Sequence, residues 1–308
     1  MSETSLVQIP SLKALGKAEW LREVEGIVSK SGEMRRLGKS HWAARTKGNT
    51  TLLVTFETLQ GIQHISPTAH PLGWELVQSH GWSHLALISD RDTWFRDKDV
   101  YSYFDELVDE CFFDDFDNVV FYGAGSCGYA ATAYSVVAPG ARVLALQPQA
   151  TLDPSIAGWD PRFIDHRKLC FTDRYGYAPD MIEATAKAFI VFDPHEAYDA
   201  MHAALFTQSN LEKLRLPHMG AALQVDLWQM DLLTELIETV AHDSLTATRF
   251  AQLARARRDH LPYLRRLLAK LDKDERSLLA DMLCSNVTAR IRAPRFARRL
   301  KSGTTKPS

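Results

Sequence analysis

One stretch limits the possible folds of this chain more than any other. Asn118 to Tyr134 reads NVVFYGAGSCGYAATAY, a short apolar run, a turn of small residues and an alanine-rich segment. Val119 to Tyr122 carries no polar alternation, which suits a parallel strand covered on both faces. Gly123 to Gly128 lets the backbone turn sharply with no large side chain in the way. Tyr129, Ala130, Ala131 and Ala133 then favour helix. The pattern predicts strand, tight turn and helix.

Two chemistries use such a turn. In a nucleophile elbow, a serine sits between small residues on a strained strand-to-helix corner. Ser126 fits this role, with Ala124 and Gly128 as its small flanks. The alternative is the dinucleotide fingerprint, matched by Gly123, Gly125 and Gly128, with a pyrophosphate at the helix N-terminus. That fingerprint requires an acidic residue after the next strand. Here Arg142 to Leu146 is followed by Gln147, Pro148 and Gln149. A nucleotide-binding oxidoreductase therefore lacks one partner, and no cofactor is expected.

The neighbouring segments extend the elbow reading. Ala188 to Asp193 is an apolar run ending in a carboxylate, and Leu214 to Gly220 is a short run ending in His218-Met219-Gly220. Serine, aspartate, histidine is the chain order of one type of hydrolytic triad. On these residues, positions 50 to 230 resemble an α/β-hydrolase domain. The phrases GWSHLALISDRDTWFRD, FYGAGSCGYAATAYS, QPQATLDP and RYGYAPDM also resemble a bacterial group often labelled phosphoadenosine phosphosulfate reductase. The motifs do not support that label, because the SGGxDS-like loop and the C-terminal redox cysteine of such reductases are missing.

The resemblance implies an α/β fold with a mostly parallel sheet, helices on both faces, a lid insertion and a helical C-terminal extension. It also implies a serine hydrolase or acyl-transfer enzyme for a small ester, thioester or amide. Ser126 would attack, His218 would act as base and Asp193 would orient it, with Asp199 in reserve. Turn groups at Gly125 and Cys127, and at Phe56 and Glu57 near the end of the strand Thr51 to Thr58, are the oxyanion candidates. The register of the turn stays open. Counted from Gly123, the family pattern puts Gly125 at the nucleophile position and Ser126 one place beyond. The chain is then a degenerate hydrolase that binds an anionic ligand or partner.

The long connection from 150 to 187 is expected to act as a lid. Its Arg162, His166, Arg167 and Arg174, with Trp94 from an earlier loop, are the substrate-binding candidates, since guanidinium groups pair with carboxylate or phosphate. Residues 1–48 read as a helical segment, 49–243 as the hydrolase-like domain, 244–300 as a basic helical extension and 301–308 as a disordered tail. From Arg249 to Lys301 the chain carries fifteen Lys and Arg against five Asp and Glu, although its net charge is only −2, so the preceding body is acidic. Solvated helix faces account for that asymmetry, with contact to an anionic partner such as nucleic acid or a membrane surface as the sharper alternative; nucleic acid is not favoured without a known motif, and the apolar pattern of the C-terminal helices suits packing on the body or on a protein partner. No apolar run reaches membrane-span length. Four cysteines without metal spacing and no signal-peptide pattern point to a cytoplasmic protein with free thiols and no metal.

Overall fold

The computed structural model describes residues 11–303. Eight strands make up one sheet: β1 (Gly32–Leu37), β2 (His41–Thr46), β3 (Thr51–Thr58), β4 (Ser83–Ser89), β5 (Asn118–Ala124), β6 (Arg142–Leu146), β7 (Lys187–Phe192) and β8 (Leu211–Arg215). Their spatial order is β1-β2-β4-β3-β5-β6-β7-β8. The pairs β1–β2 and β2–β4 are antiparallel, and all later pairs are parallel.

The apolar run in β5 has a direct cause. Val119 and Phe121 join one hydrophobic cluster while Val120 and Tyr122 join another, so consecutive residues face two covered sides. The helix Ser126–Tyr134 packs Ala130, Ala131 and Ala133 into the first cluster. The second side is closed by the C-terminal helices, which contribute Phe250, Leu264, Leu268, Cys284 and Phe296 to the cluster that holds Val120, Leu144 and Phe189. Each such side chain withdrawn from water is worth about 2 kcal/mol.

Two expectations change. The segment 1–48 is not helical throughout: a helix spans Lys17–Val28, but Gly32 to Thr46 is a hairpin that extends the sheet. The edge strand β1 carries exposed charge on both faces, with Arg35 and Arg36 consecutive, which hides its period in the sequence. After β8 the chain forms two helices, Leu223–Gln229 and Leu232–Ala241, broken where Asp231 adopts a left-handed φ of 57°. The last helix, Pro294–Gly303, runs past position 300. The tail expected to be disordered lies, beyond Gly303, outside the described residues.

The connection between β6 and β7 holds only short helical turns, among them Pro154–Ala157, Pro161–His166 and Ala178–Met181. It is pinned to the body. Arg96 donates from Nε to the Cys170 carbonyl at 2.8 Å and from Nη1 to the Arg174 carbonyl at 2.6 Å. The Tyr129 hydroxyl donates to the Tyr175 carbonyl.

Candidate functional site

The elbow is built by three glycines with separate duties. A Cβ on Gly123 would lie 2.1 Å from the Cys127 carbonyl oxygen, so only glycine lets the strand and the helix meet this closely. Gly128 faces the Leu146 carbonyl at 3.1 Å from its own notional Cβ. Gly125 stands at the apex with φ 58° and ψ −123°. A Cβ there would meet nothing within 4 Å, so the position opens on space.

Ser126 is the first helical residue, one place past the apex. Its hydroxyl donates to Asp92 Oδ1 at 3.3 Å. Cys127 is buried, and burial pushes its thiol far above the ordinary range. The position after the apex, expected from the family pattern to supply an oxyanion N–H, is therefore Ser126 rather than Cys127. Phe56 and Glu57 lie within β3, in register with Leu87 and Ile88 of β4, and both side chains are buried. Helical capping begins at Thr58, whose Oγ1 accepts from the Gly61 N–H at 2.9 Å.

Asp193 follows β7 directly and is 1% exposed. It accepts from the His195 N–H at 2.9 Å through Oδ1 and from the Gly220 N–H at 2.7 Å through Oδ2, which ties the turn after β7 to the turn after β8. His218 lies in that second turn with a left-handed φ of 66°. Its ring stacks on His195 at 4.1 Å between centroids. Burial, followed by the neighbouring His195, lowers its pKa and outweighs the attraction of Asp193. Asp193 and His218 thus share one corner of the fold, whereas the Ser126 hydroxyl pairs with Asp92 on another loop.

Strand order 1-2-4-3-5-6-7-8, an elbow after β5, a carboxylate after β7 and a histidine after β8 are now together. The chain has the α/β-hydrolase fold. No family model and no curated protein matches it. Among solved structures it is similar to Est1E from Butyrivibrio proteoclasticus, at 16% identity and a TM-score of 0.45 over 68% of this chain and 97% of the other. It is also similar to alpha/beta hydrolase domain-containing protein 10 from mouse, at 12% identity and 0.44 over 68% and 97%. A third is the capsule O-acetyltransferase of Neisseria meningitidis serogroup A, at 13% and 0.43 over 67% and 94%. The strand order and the elbow, rather than these distant likenesses, carry the fold.

A cavity of about 320 Å³ opens beside Gly125, at the carboxyl ends of the parallel strands where α/β sheets bind ligands. Gln147, Gln149, Arg162, Phe163 and Asp199 line it together with residues 221–225. A larger groove of about 670 Å³ lies among Ser31, Arg45, Asn49 and Phe116 at the amino end of β3, far from the elbow chemistry. Its Arg45 is already paired with Glu33 at 2.6 Å.

Of the expected set of arginines, Arg162 lines this cavity, and it is held by carboxylates. Nε and Nη2 reach Asp160, the latter at 2.8 Å, while Nη1 donates to Asp199 at 2.6 Å. Asp199 also accepts from Gln147 Nε2 at 2.6 Å. Behind them His202, fully buried, donates from Nε2 to Asp160 at 3.1 Å and accepts the Ala150 N–H on Nδ1 at 3.2 Å. Those two bonds fix a neutral tautomer, and burial lowers the pKa of His202 to match. Burial works against ionised Asp160, but the Arg162 hydrogen bonds overcome it and hold this carboxyl below its usual range.

Other expected contacts lie elsewhere. Arg167 donates to the carbonyls of Gly158 and Asp160, and Arg174 pairs with Asp105 at the surface. Trp94 is 1% exposed and packs on Phe163 and His166, so it supports the connection from below. Sequence reasoning missed Gln147, Gln149, Asp160 and His202. The pair Gln147 and Gln149 was in view only as a missing acid. No cluster of His, Cys, Asp and Glu able to hold a metal occurs among the described residues, and no helix there is long and apolar enough to cross a membrane.

Proposed function

We propose that this chain is a hydrolase-fold binding protein without a serine nucleophile, which holds a small ligand in the cavity beside the elbow. The observation that carries the reading is Gly125 at the apex of the turn, with φ 58° and ψ −123° and open space where a nucleophile side chain would stand. The position of Ser126 agrees with it. That hydroxyl bonds to a carboxylate at 3.3 Å, and an aspartate is a poor base for a serine compared with an imidazole. Asp193 and His218 then serve as structural survivors of a triad, tying two turns together. The free cysteines agree with a reducing, cytoplasmic setting.

The test is turnover of short-chain aryl esters and acyl thioesters by the purified protein. The reading expects the same background rate for wild type and Ser126→Ala. A wild-type rate well above background that falls in both Ser126→Ala and His218→Ala would overturn it and restore a serine hydrolase or acyl-transfer enzyme.

A further inference from the structure

Resting on that binding reading, we infer that the elbow cavity takes a neutral, hydroxyl-rich molecule of about monosaccharide size rather than an anion. The cation at the cavity is already spent. Arg162 faces two carboxylates, Asp160 and Asp199, at 2.8 and 2.6 Å, so the cluster carries net negative charge with His202 neutral. An incoming carboxylate or phosphate meets repulsion there and no free guanidinium.

What remains unspent is one acceptor and a set of backbone donors. Gln149 lines the cavity, is 3% exposed, and its Oε1 has no hydrogen-bond partner. A buried carbonyl oxygen in that state calls for an O–H or N–H from a ligand. Its neighbour Gln147 is satisfied at both ends, donating to Asp199 at 2.6 Å and accepting from the Leu223 N–H at 3.2 Å. Directly behind Gly125 begins the helix Ser126–Tyr134, whose first N–H groups have no carbonyl partner inside the helix. A hydroxyl both donates and accepts, so adjacent hydroxyls on one ring satisfy Gln149 and the helix end together. Phe163 supplies an apolar wall for the C–H face of such a ring. A volume of about 320 Å³ is at the small end of ligand sites, which fits one sugar ring and not a dinucleotide.

The experiment is titration calorimetry of the full chain with glucose, galactose, mannose and N-acetylglucosamine, against glucuronate and glucose 6-phosphate at equal millimolar concentration. At least one neutral sugar is expected to bind more tightly than both anions. Gln149→Met, which fills the same space without the acceptor, is expected to weaken that binding about tenfold, the loss of one buried hydrogen bond. If that variant does not fold, Gln149→Leu is the second arm: it removes the same acceptor with a smaller side chain and is expected to weaken binding to a similar extent. Anions binding as well as or better than sugars, unchanged affinity in the folded variant, or no binding by any neutral sugar would each overturn the ligand class. Such a failure leaves the nucleophile-free reading intact, because that reading falls only if ester turnover depends on Ser126.

Discussion

Glu57→Gln should change how stability depends on pH, and the size follows from the surroundings of Glu57. The carboxyl lies in β3, 7% exposed, and accepts from Thr55 Oγ1 at 2.9 Å and from the Leu72 N–H at 2.9 Å. Thr55 Oγ1 also contacts His84 Nε2 at 3.0 Å. Burial raises the Glu57 pKa from 4.5 to about 7, against the pull of the Leu72 and Thr55 hydrogen bonds. Between those values the native protein keeps a proton that the unfolded chain has released, so stability falls as pH rises. The slope is about 1.4 kcal/mol per pH unit and the total about 3 kcal/mol.

His84 works in the opposite sense. Burial lowers its pKa from 6.5 to about 3, so the unfolded chain takes up a proton that the native one refuses, and stability falls as pH drops below 6.5. Between 4.5 and 6.5 the two contributions cancel in the wild type. Glutamine keeps the shape of the protonated acid and can donate to Thr55. It removes the Glu57 contribution alone. Urea unfolding of both proteins across this range should show Glu57→Gln gaining about 3 kcal/mol on the wild type between pH 4.5 and 7.5. A stability difference that does not change with pH would refute the reasoning.

Other substitutions test the elbow and its surroundings. Gly123→Ala should fail to fold or lose several kcal/mol, about the cost of a severe core clash, because its Cβ meets the Cys127 carbonyl at 2.1 Å. Gly125→Ala meets no atom within 4 Å and should cost only the positive-φ penalty of about 1 to 2 kcal/mol, read as a modest drop in Tm. Asp160→Asn should cost about 3 kcal/mol, since it leaves Arg162 with one carboxylate and His202 beside a neutral amide. Arg96→Met frees the carbonyls of Cys170 and Arg174, and limited proteolysis should cut between 166 and 177 faster than in wild type.

Much of the architecture was legible because its causes are local. The unbroken apolar run at Val119 to Tyr122 reports two covered faces, and the glycines after it report a corner. Asp193 could be placed at a strand end because it terminates an apolar run, whereas the strand before His218, LEKLR, is charged, and only the short Leu214 to Gly220 segment points to His218. The hairpin from Gly32 to Thr46 was missed because β1 is an edge strand whose charged residues obscure the alternation. The register of the elbow was undecidable in sequence, since Ala124, Gly125 and Gly128 let either Gly125 or Ser126 take the apex. Only backbone geometry separates them. The Asp160, His202 and Asp199 cluster joins residues about forty positions apart, and nothing periodic in the chain announces such a meeting. The arginines of the 150–187 connection stand out by type, but Arg162 and Arg174 are already paired with aspartates.

The most direct measurement is intact-mass analysis of the purified wild-type protein after exposure to a fluorophosphonate, with Ser126→Ala and His218→Ala alongside. A glycine at the apex and a serine bonded to Asp92 predict no added mass on a folded protein. A single stoichiometric adduct on Ser126, lost in both variants, would contradict the account and show that the turn can present an activated serine.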